Sequence, residues 1–287
     1  MRFSVWPNGK WWCRVDKPIT FREELAIALR IAGIRLRGQM AYRGSFWMQI
    51  FGNFLTNVAE VIALFAMFYQ FNTMGGWTLG EVALLHGISM IAFSIADSLT
   101  VGMDWVAPQI RSGEFDRVLT RPLGSWMNAA TSEFSLRQIG QCAQGFIVLA
   151  VALTQVDIAW SIDKALLVPV MFITGIALFM ALFTIEAIFS FWTVNGVEAI
   201  NAFTYGGSDL AQFPMHIFGR TMRFLFMWIV PVAFITYYPA LHLLDKPDPL
   251  GMPGWFVLLG PVITTVFCLA VAWGWKQGIR HYRSTGS

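Results

Sequence analysis

Six stretches of about twenty apolar residues, nearly free of charge, run through this chain and are separated by short basic segments. An α-helix of about 20 apolar residues is what crosses about 30 Å of hydrocarbon. In lipid the backbone has no alternative, because unpaired amides cost several kcal/mol each. The spacing predicts spans at about Phe46 to Phe71, at about Val82 to Met103, and between Arg137 and Asp157. Three more are predicted after Lys164 up to Glu186, after Arg223 up to Asp245, and from about Trp255 to Trp275. Only 13% of the 287 residues are charged, against about 25% in soluble domains. That excludes a soluble enzyme, a nucleic-acid binder and a disordered chain. Barrel strands are about ten residues long and alternate in polarity, unlike these runs. The expected fold class is all-α: a polytopic membrane protein with six transmembrane helices.

The loops orient the chain. Nine cations precede the first span, from Arg2 to Arg43. Arg111, Arg117, Arg121 and Arg137 follow the second span, Arg220 and Arg223 the fourth, and Lys276, Arg280 and Arg283 the sixth. The opposite loops hold only Lys164 and Lys246. The positive-inside rule then puts both termini in the cytoplasm. The expected division is a cytoplasmic segment 1–44, a transmembrane domain 45–276 and a cytoplasmic tail 277–287. The N-terminus lacks the continuous apolar core of a cleavable signal peptide. Trp77, Trp160 and Trp255 flank the outer span ends, and Trp47, Trp192 and Trp275 the inner ones, the places of headgroup anchors.

Two cytoplasmic pieces stand out. Phe21 to Arg43 reads as a non-spanning helix, with Phe21, Leu25, Ala28, Ala32 and Leu36 on one face and Glu23, Arg30 and Arg37 opposite. It suits either an interfacial helix over anionic lipid or a basic flank that fixes topology. The loop after the second span, Asp104 to Ser125, reads as a short helix at about 108–122. Pro108 suits its first turn, and Gly113 and Pro122 punctuate it. Its charges are of both signs, and Phe115, Val118 and Leu119 form an apolar side. Such a surface is either a solvated loop helix or one that docks in a partner's groove.

The run SGEFDRVLTRPL, Ser112 to Leu123, resembles the signature of ABC-2-type permeases, in particular the six-span branch encoded beside a separate ATPase. A second stretch agrees: FTYGGSDLAQFPMHIFGR, followed by WIVPVAFITYYPALHLL. The resemblance covers about Phe21 to the end. It implies a non-catalytic subunit, with two permease copies, identical or paralogous, forming the path and two ATPase copies holding ATP and Mg. It further implies that Arg111, Gly113, Glu114, Phe115, Asp116, Arg117, Leu119, Arg121 and Pro122 form or brace a coupling helix on the ATPase. Gly113 would permit the turn into it and Pro122 would end it. Phe115 stands where many relatives carry an aliphatic residue. Export of an amphiphilic or hydrophobic substrate across a bacterial inner membrane, by alternating access, is the expected function.

The residues agree on one negative point, since none of the five lysines sits in a P-loop, the Gly-rich cradle for nucleotide phosphates. Energy therefore comes from a partner ATPase or from an ion gradient. Glu60, Asp97 and Glu186 fall inside predicted spans, where an acid costs about 2.5–3.5 kcal/mol. Glu60 lies roughly 20 Å from the inner end of its helix at 1.5 Å per residue. It is either a path-lining, proton-responsive group or a partner of Asn57 or a neighbouring helix. Asp97 and Glu186 come late in their spans and read as interfacial. The alternative function is an ion-coupled secondary transporter with Glu60 as coupling acid. Its expected two related halves are not evident. An intramembrane hydrolase lacks a nucleophile–base pair. His86, His216, His242 and His281 and Cys13, Cys142 and Cys268 make no metal spacing.

Overall fold

A computed structural model of the chain describes residues 3–5 and 11–13, parts of 22–38, and 43–282 except 122, 134–136 and 194–196. The side chains of 3–5, 11–13, 43, 45, 46, 137 and 197–199 fall outside that description. So do Pro122 and the apolar face expected of the 21–43 helix (Phe21, Leu25, Ala28, Ala32 and Leu36), whereas Glu23, Arg30 and Arg37 are helical. β1 (Phe3–Val5) and β2 (Trp11–Cys13) form a small antiparallel pair. Helices follow: α1 (Arg43–Gln70) and α2 (Leu79–Thr100), the latter running through a tight turn, Val101–Trp105, into α3 (Val106–Ser112). Then come α4 (Phe115–Thr120), α5 (Ser125–Ala130), α6 (Arg137–Gln155), α7 (Ile162–Phe189) and α8 (Val197–Ala211). The last are α9 (Arg220–Phe224), α10 (Tyr237–Leu243) and α11 (Leu259–His281).

Among the described residues, four helical stretches are long and apolar enough to cross a membrane: Trp47–Gln70, Leu79–Ser112, Ile162–Phe189 and Gly254–His281. A bent pair, Arg220–Ile229 with Val232–Leu243, makes at most a fifth. The second stretch is central, with 83% of its most apolar window buried, against 11% for the first. Small residues let its neighbours approach. A Cβ on Gly87 would lie 2.9 Å from Leu149 of α6, and one on Gly175 of α7 would lie 3.0 Å from Ala92. At 34 residues this stretch is about 50 Å long at 1.5 Å per residue. That exceeds a hydrocarbon core of about 30 Å, so α3 projects beyond it.

The expected fifth span is corrected. His216 Nε2 meets the Gly75 carbonyl oxygen at 2.8 Å, and Lys246 Nζ donates to the adjacent Gly76 carbonyl at 2.9 Å. The segment between them therefore leaves and returns to one turn, at the N-terminal end of α2. It is bent by 72° where Pro231, which has no amide to donate, follows a π-helical turn, Leu225–Ile229. At its depth the Phe234 carbonyl lies 2.6 Å from where a Cβ of Gly260 would stand. Meanwhile α8 climbs antiparallel along α2. Tyr205 packs on Phe93 at 5.5 Å, Ser89 donates to the Ser208 carbonyl at 3.2 Å, and His216 faces Trp77 at 6.4 Å. Arg220 and Arg223 thus stand at the end that carries Lys164 and Lys246, not with the other basic loops.

That end is clamped by charge. Lys246 pairs with Glu81 at 2.6 Å and lies 5.0 Å above the Trp77 ring. Glu81 also accepts the Thr78 amide at 2.7 Å, the backward half of a capping box that starts α2. Lys164 pairs with Asp245 at 2.6 Å, and Tyr237 donates to Asp248 at 3.1 Å. Trp77 is consequently buried at 2% exposure, and at the other end Trp275 is buried at 4%, against Phe191. Neither is a headgroup anchor, while Trp47, Trp160, Trp192 and Trp255 are exposed.

Candidate functional site

Two constellations can do work. The first lies at the C-terminal end of α2. The expected helix over 108–122 divides in two: Pro108 to Ser112 continues the second span, with Pro108 in the first turn of α3, and only Phe115–Thr120 stands apart. Gly113 makes the break at φ +73°, a left-handed conformation that glycine adopts without steric cost. Arg111, Glu114, Arg117, Leu119 and Arg121 are exposed, and Asp116 is half-buried.

The apolar side of α4 turns inward rather than protruding. Phe115 is fully buried, Val118 nearly so, and only Leu119 remains out. Phe115 meets Phe191 beyond α7 at 5.3 Å and Tyr282 beyond α11 at 5.1 Å, both edge to face. Tyr282 donates to Asp116 Oδ1 at 3.0 Å. Burial first, and then the Asp116 carboxylate, hold that hydroxyl above the usual tyrosine range. Asn128 of α5 donates to the Val118 carbonyl at 2.7 Å and accepts from Arg121 at 3.2 Å, closing the C-terminal end of α4.

α5 fastens the same unit to the spans. Trp126 donates to Thr184 of α7 at 3.0 Å, and Trp275 of α11 donates to Ser125 at 3.2 Å. The Ala129 and Ala130 carbonyls rest on Gly102, where a Cβ would meet the first and lie 2.6 Å from the second. One small unit, α4 with α5, is therefore joined at once to the second, fourth and last long helices. An apolar groove of about 470 Å³ opens beside it, walled by Met180, Thr184, Cys268, Val271 and Trp275.

The second constellation is a polar cavity of about 170 Å³ among α1, α2, α6 and α8. Glu60 and Asn57 both line it, and Asn57 is buried. Asp97, read as interfacial, instead forms part of the same wall, 2% exposed and accepting a hydrogen bond from Gln138. Asp209 faces Glu60. Glu186 does not line the cavity and is buried beside Asn201, within electrostatic reach of Asp97 and Asp104. Asp209, Gln138, Gln141 and Gln212 line the cavity and escaped sequence reading, although a signal exists. Asn53, Asn57 and Glu60 recur at spacings of four and three, Gln138 and Gln141 at three, Tyr205, Ser208, Asp209 and Gln212 at three and four. Such spacings put each set on one helix face. Among the described residues no group of three ligands could hold a metal ion.

Long apolar helices packed around a central one define a multi-pass membrane protein. A family model described as ABC-2 family transporter protein matches residues 54–286. The chain belongs to that family, and is a membrane subunit of an ABC transporter that associates with an ABC ATPase. No curated protein and no solved structure matches it.

Proposed function

We propose that this chain is the permease half of an ATP-driven exporter and that α4 is its coupling helix. The observation that carries the reading is the triple attachment of the α4–α5 unit to α2, α7 and α11. A push on its charged outer face is transmitted to three membrane helices together, as a rigid-body change requires. Arg111, Glu114, Arg117, Leu119 and Arg121 face the ATPase, while Phe115, Asp116 and Gly113 brace and aim the helix. Pro122, by resemblance, ends it.

In this reading six segments cross the membrane: α1, α2, α6, α7, α8 with the turn after it, and α11. The segment 220–243 is re-entrant from the outer side. Both termini are cytoplasmic, in a bacterial inner membrane. ATP and Mg are held by two copies of the partner ATPase. A second permease, identical or paralogous, completes the path, and the exposed face of α1, with Phe51, Leu55 and Ile62, meets it or lipid. The apolar groove beside the lever supports an amphiphilic or hydrophobic substrate. The test is co-purification of the ATPase encoded beside this chain. Glu114→Ala with Arg117→Ala is expected to abolish it while the permease still inserts. A mutant that keeps the full complex and ATP-driven transport contradicts the assignment.

A further inference from the structure

We propose that the apolar groove between α7 and α11 binds an anionic phospholipid, with one acyl chain lying in the groove and the phosphate held at its α5 end. The groove holds about 470 Å³, within the range of sites that take drug-sized molecules. In its interior Ala177, Met180 and Ala181 of α7 face Cys268, Val271 and Ala272 of α11. The polar groups of that wall are already committed. Cys268 donates to the Ala177 carbonyl at 3.6 Å, and Thr184 donates to the Met180 carbonyl at 2.7 Å. Thr184 also accepts from Trp126, and the Trp275 indole donates to Ser125. What the interior offers a guest is apolar contact.

One end differs. Lys276 lines the groove and is exposed, and Arg280, one turn further along α11, is exposed as well. Residues four apart are neighbours on a helix surface. Neither cation has an ion-pair or hydrogen-bond partner among the described residues. Ser125 lines the same end, and its hydroxyl accepts from Trp275 and donates to no described residue. Two cations and a hydroxyl hydrogen at the mouth of an apolar slot suit a phosphate carried on hydrocarbon, since basic pockets between membrane helices bind anionic headgroups. Length agrees. From Lys276 to Cys268 is about 12 Å at 1.5 Å per residue, against about 15 Å for the hydrocarbon of one leaflet. The stretch Gly254–His281 sits at the edge of the bundle, with 17% of its most apolar window buried, so the lipid enters sideways from the leaflet on the α4–α5 side. A second copy is the poorer occupant, because a twofold partner on this face would set its own Lys276 and Arg280 against these.

The exporter reading would make this lipid cargo; its binding does not rest on that reading, and the test needs neither ATPase nor nucleotide. The full chain in detergent is titrated with phosphatidylglycerol and with phosphatidylcholine of the same acyl chains, and bound lipid is counted by native mass spectrometry. The first phosphatidylglycerol is expected to bind about tenfold more tightly than the first phosphatidylcholine, from the two cations at the mouth. Lys276→Gln with Arg280→Gln is expected to make the two lipids equal. Ala272→Phe, which fills the groove from an exposed position, is expected to abolish the tight site without changing the melting temperature. Leu269→Phe, exposed on the same helix and outside the groove, is expected to leave it intact. Glycerol phosphate, which has no chain, is expected not to compete. Equal binding of the two lipids to the unaltered chain, competition by glycerol phosphate, or undiminished phosphatidylglycerol binding in both groove variants overturns the proposal. So does an Ala272→Phe chain that loses a dimer but keeps its lipid, since the face is then an interface between copies. Loss of ATPase docking would leave the lipid result intact, and absence of lipid binding would leave docking intact.

Discussion

At the residue scale, α4 separates two kinds of group that sit side by side. Phe115 is fully buried between Phe191 and Tyr282, and removing such a ring costs about 3–5 kcal/mol. Phe115→Ala is expected to lower the melting temperature of the purified chain and to uncouple ATP hydrolysis from transport. Arg117 is exposed, and a surface change costs within about 0.5 kcal/mol. Arg117→Ala is expected to leave the melting temperature unchanged and weaken ATPase binding, read by titration of the partner. Gly102→Val forces the Ala129 and Ala130 carbonyls away and is expected to reduce transport without blocking insertion. The run SGEFDRVLTRPL was legible as a resemblance, and two of its residues act locally, Gly113 at the break and Arg117 in solvent. What spacing could not reveal is the direction of Phe115, which depends on Phe191 and Tyr282, 76 and 167 positions away.

At the scale of elements, the C-terminal end of α11 is a strap over α4. Tyr282 donates its hydroxyl hydrogen to Asp116, and its raised pKa means that the folded state favours the neutral phenol. The sign follows from linkage: the bond stabilises below the unfolded tyrosine value of about 10 and is lost as pH rises through the higher folded value. Tyr282→Phe is expected to remove that alkaline dependence of the melting temperature while keeping ring contacts with Phe115. An unchanged alkaline profile in the variant would show that another group governs it. The long, strongly apolar helices were legible from hydropathy alone. α8 was not, because its crossing face carries Tyr205, Ser208 and Asp209, which lower its apolarity while serving the cavity. Conversely, the run 224–244 looked like a span because apolar composition cannot register the turn at Pro231 or the packing of Tyr237 on Trp77 at 5.9 Å.

For the whole molecule, the consequence is a topology in which one end is held by ion pairs and the other carries the α4–α5 unit. Lys246 bridges Glu81, the Gly76 carbonyl and the Trp77 ring, so Lys246→Ala strips three contacts from the junction of two segments. It is expected to raise protease sensitivity at residues 245–254 in intact cells. Arg223→Cys is expected to react with a membrane-impermeant thiol reagent applied outside, because 220–243 returns to its starting end. Reaction only after permeabilisation would restore a straight fifth span. Charge counting put Arg220 and Arg223 with the other basic loops, whereas His216 against Gly75 sets them at the end that carries Lys246. The rule sums over loops, and the segment it treated as a loop here folds as the helix α8 along α2.

The central claim is that α4 is where the ATPase acts. The most direct measurement is a cross-link between Arg117→Cys and single cysteines on the co-expressed ATPase, made in inside-out vesicles during ATP-driven transport. The expected result is a cross-linked pair that arrests transport until it is reduced, with no such product from Asp157→Cys at the opposite end. Efficient cross-linking from Asp157→Cys, or undisturbed transport with position 117 fully cross-linked, would contradict it.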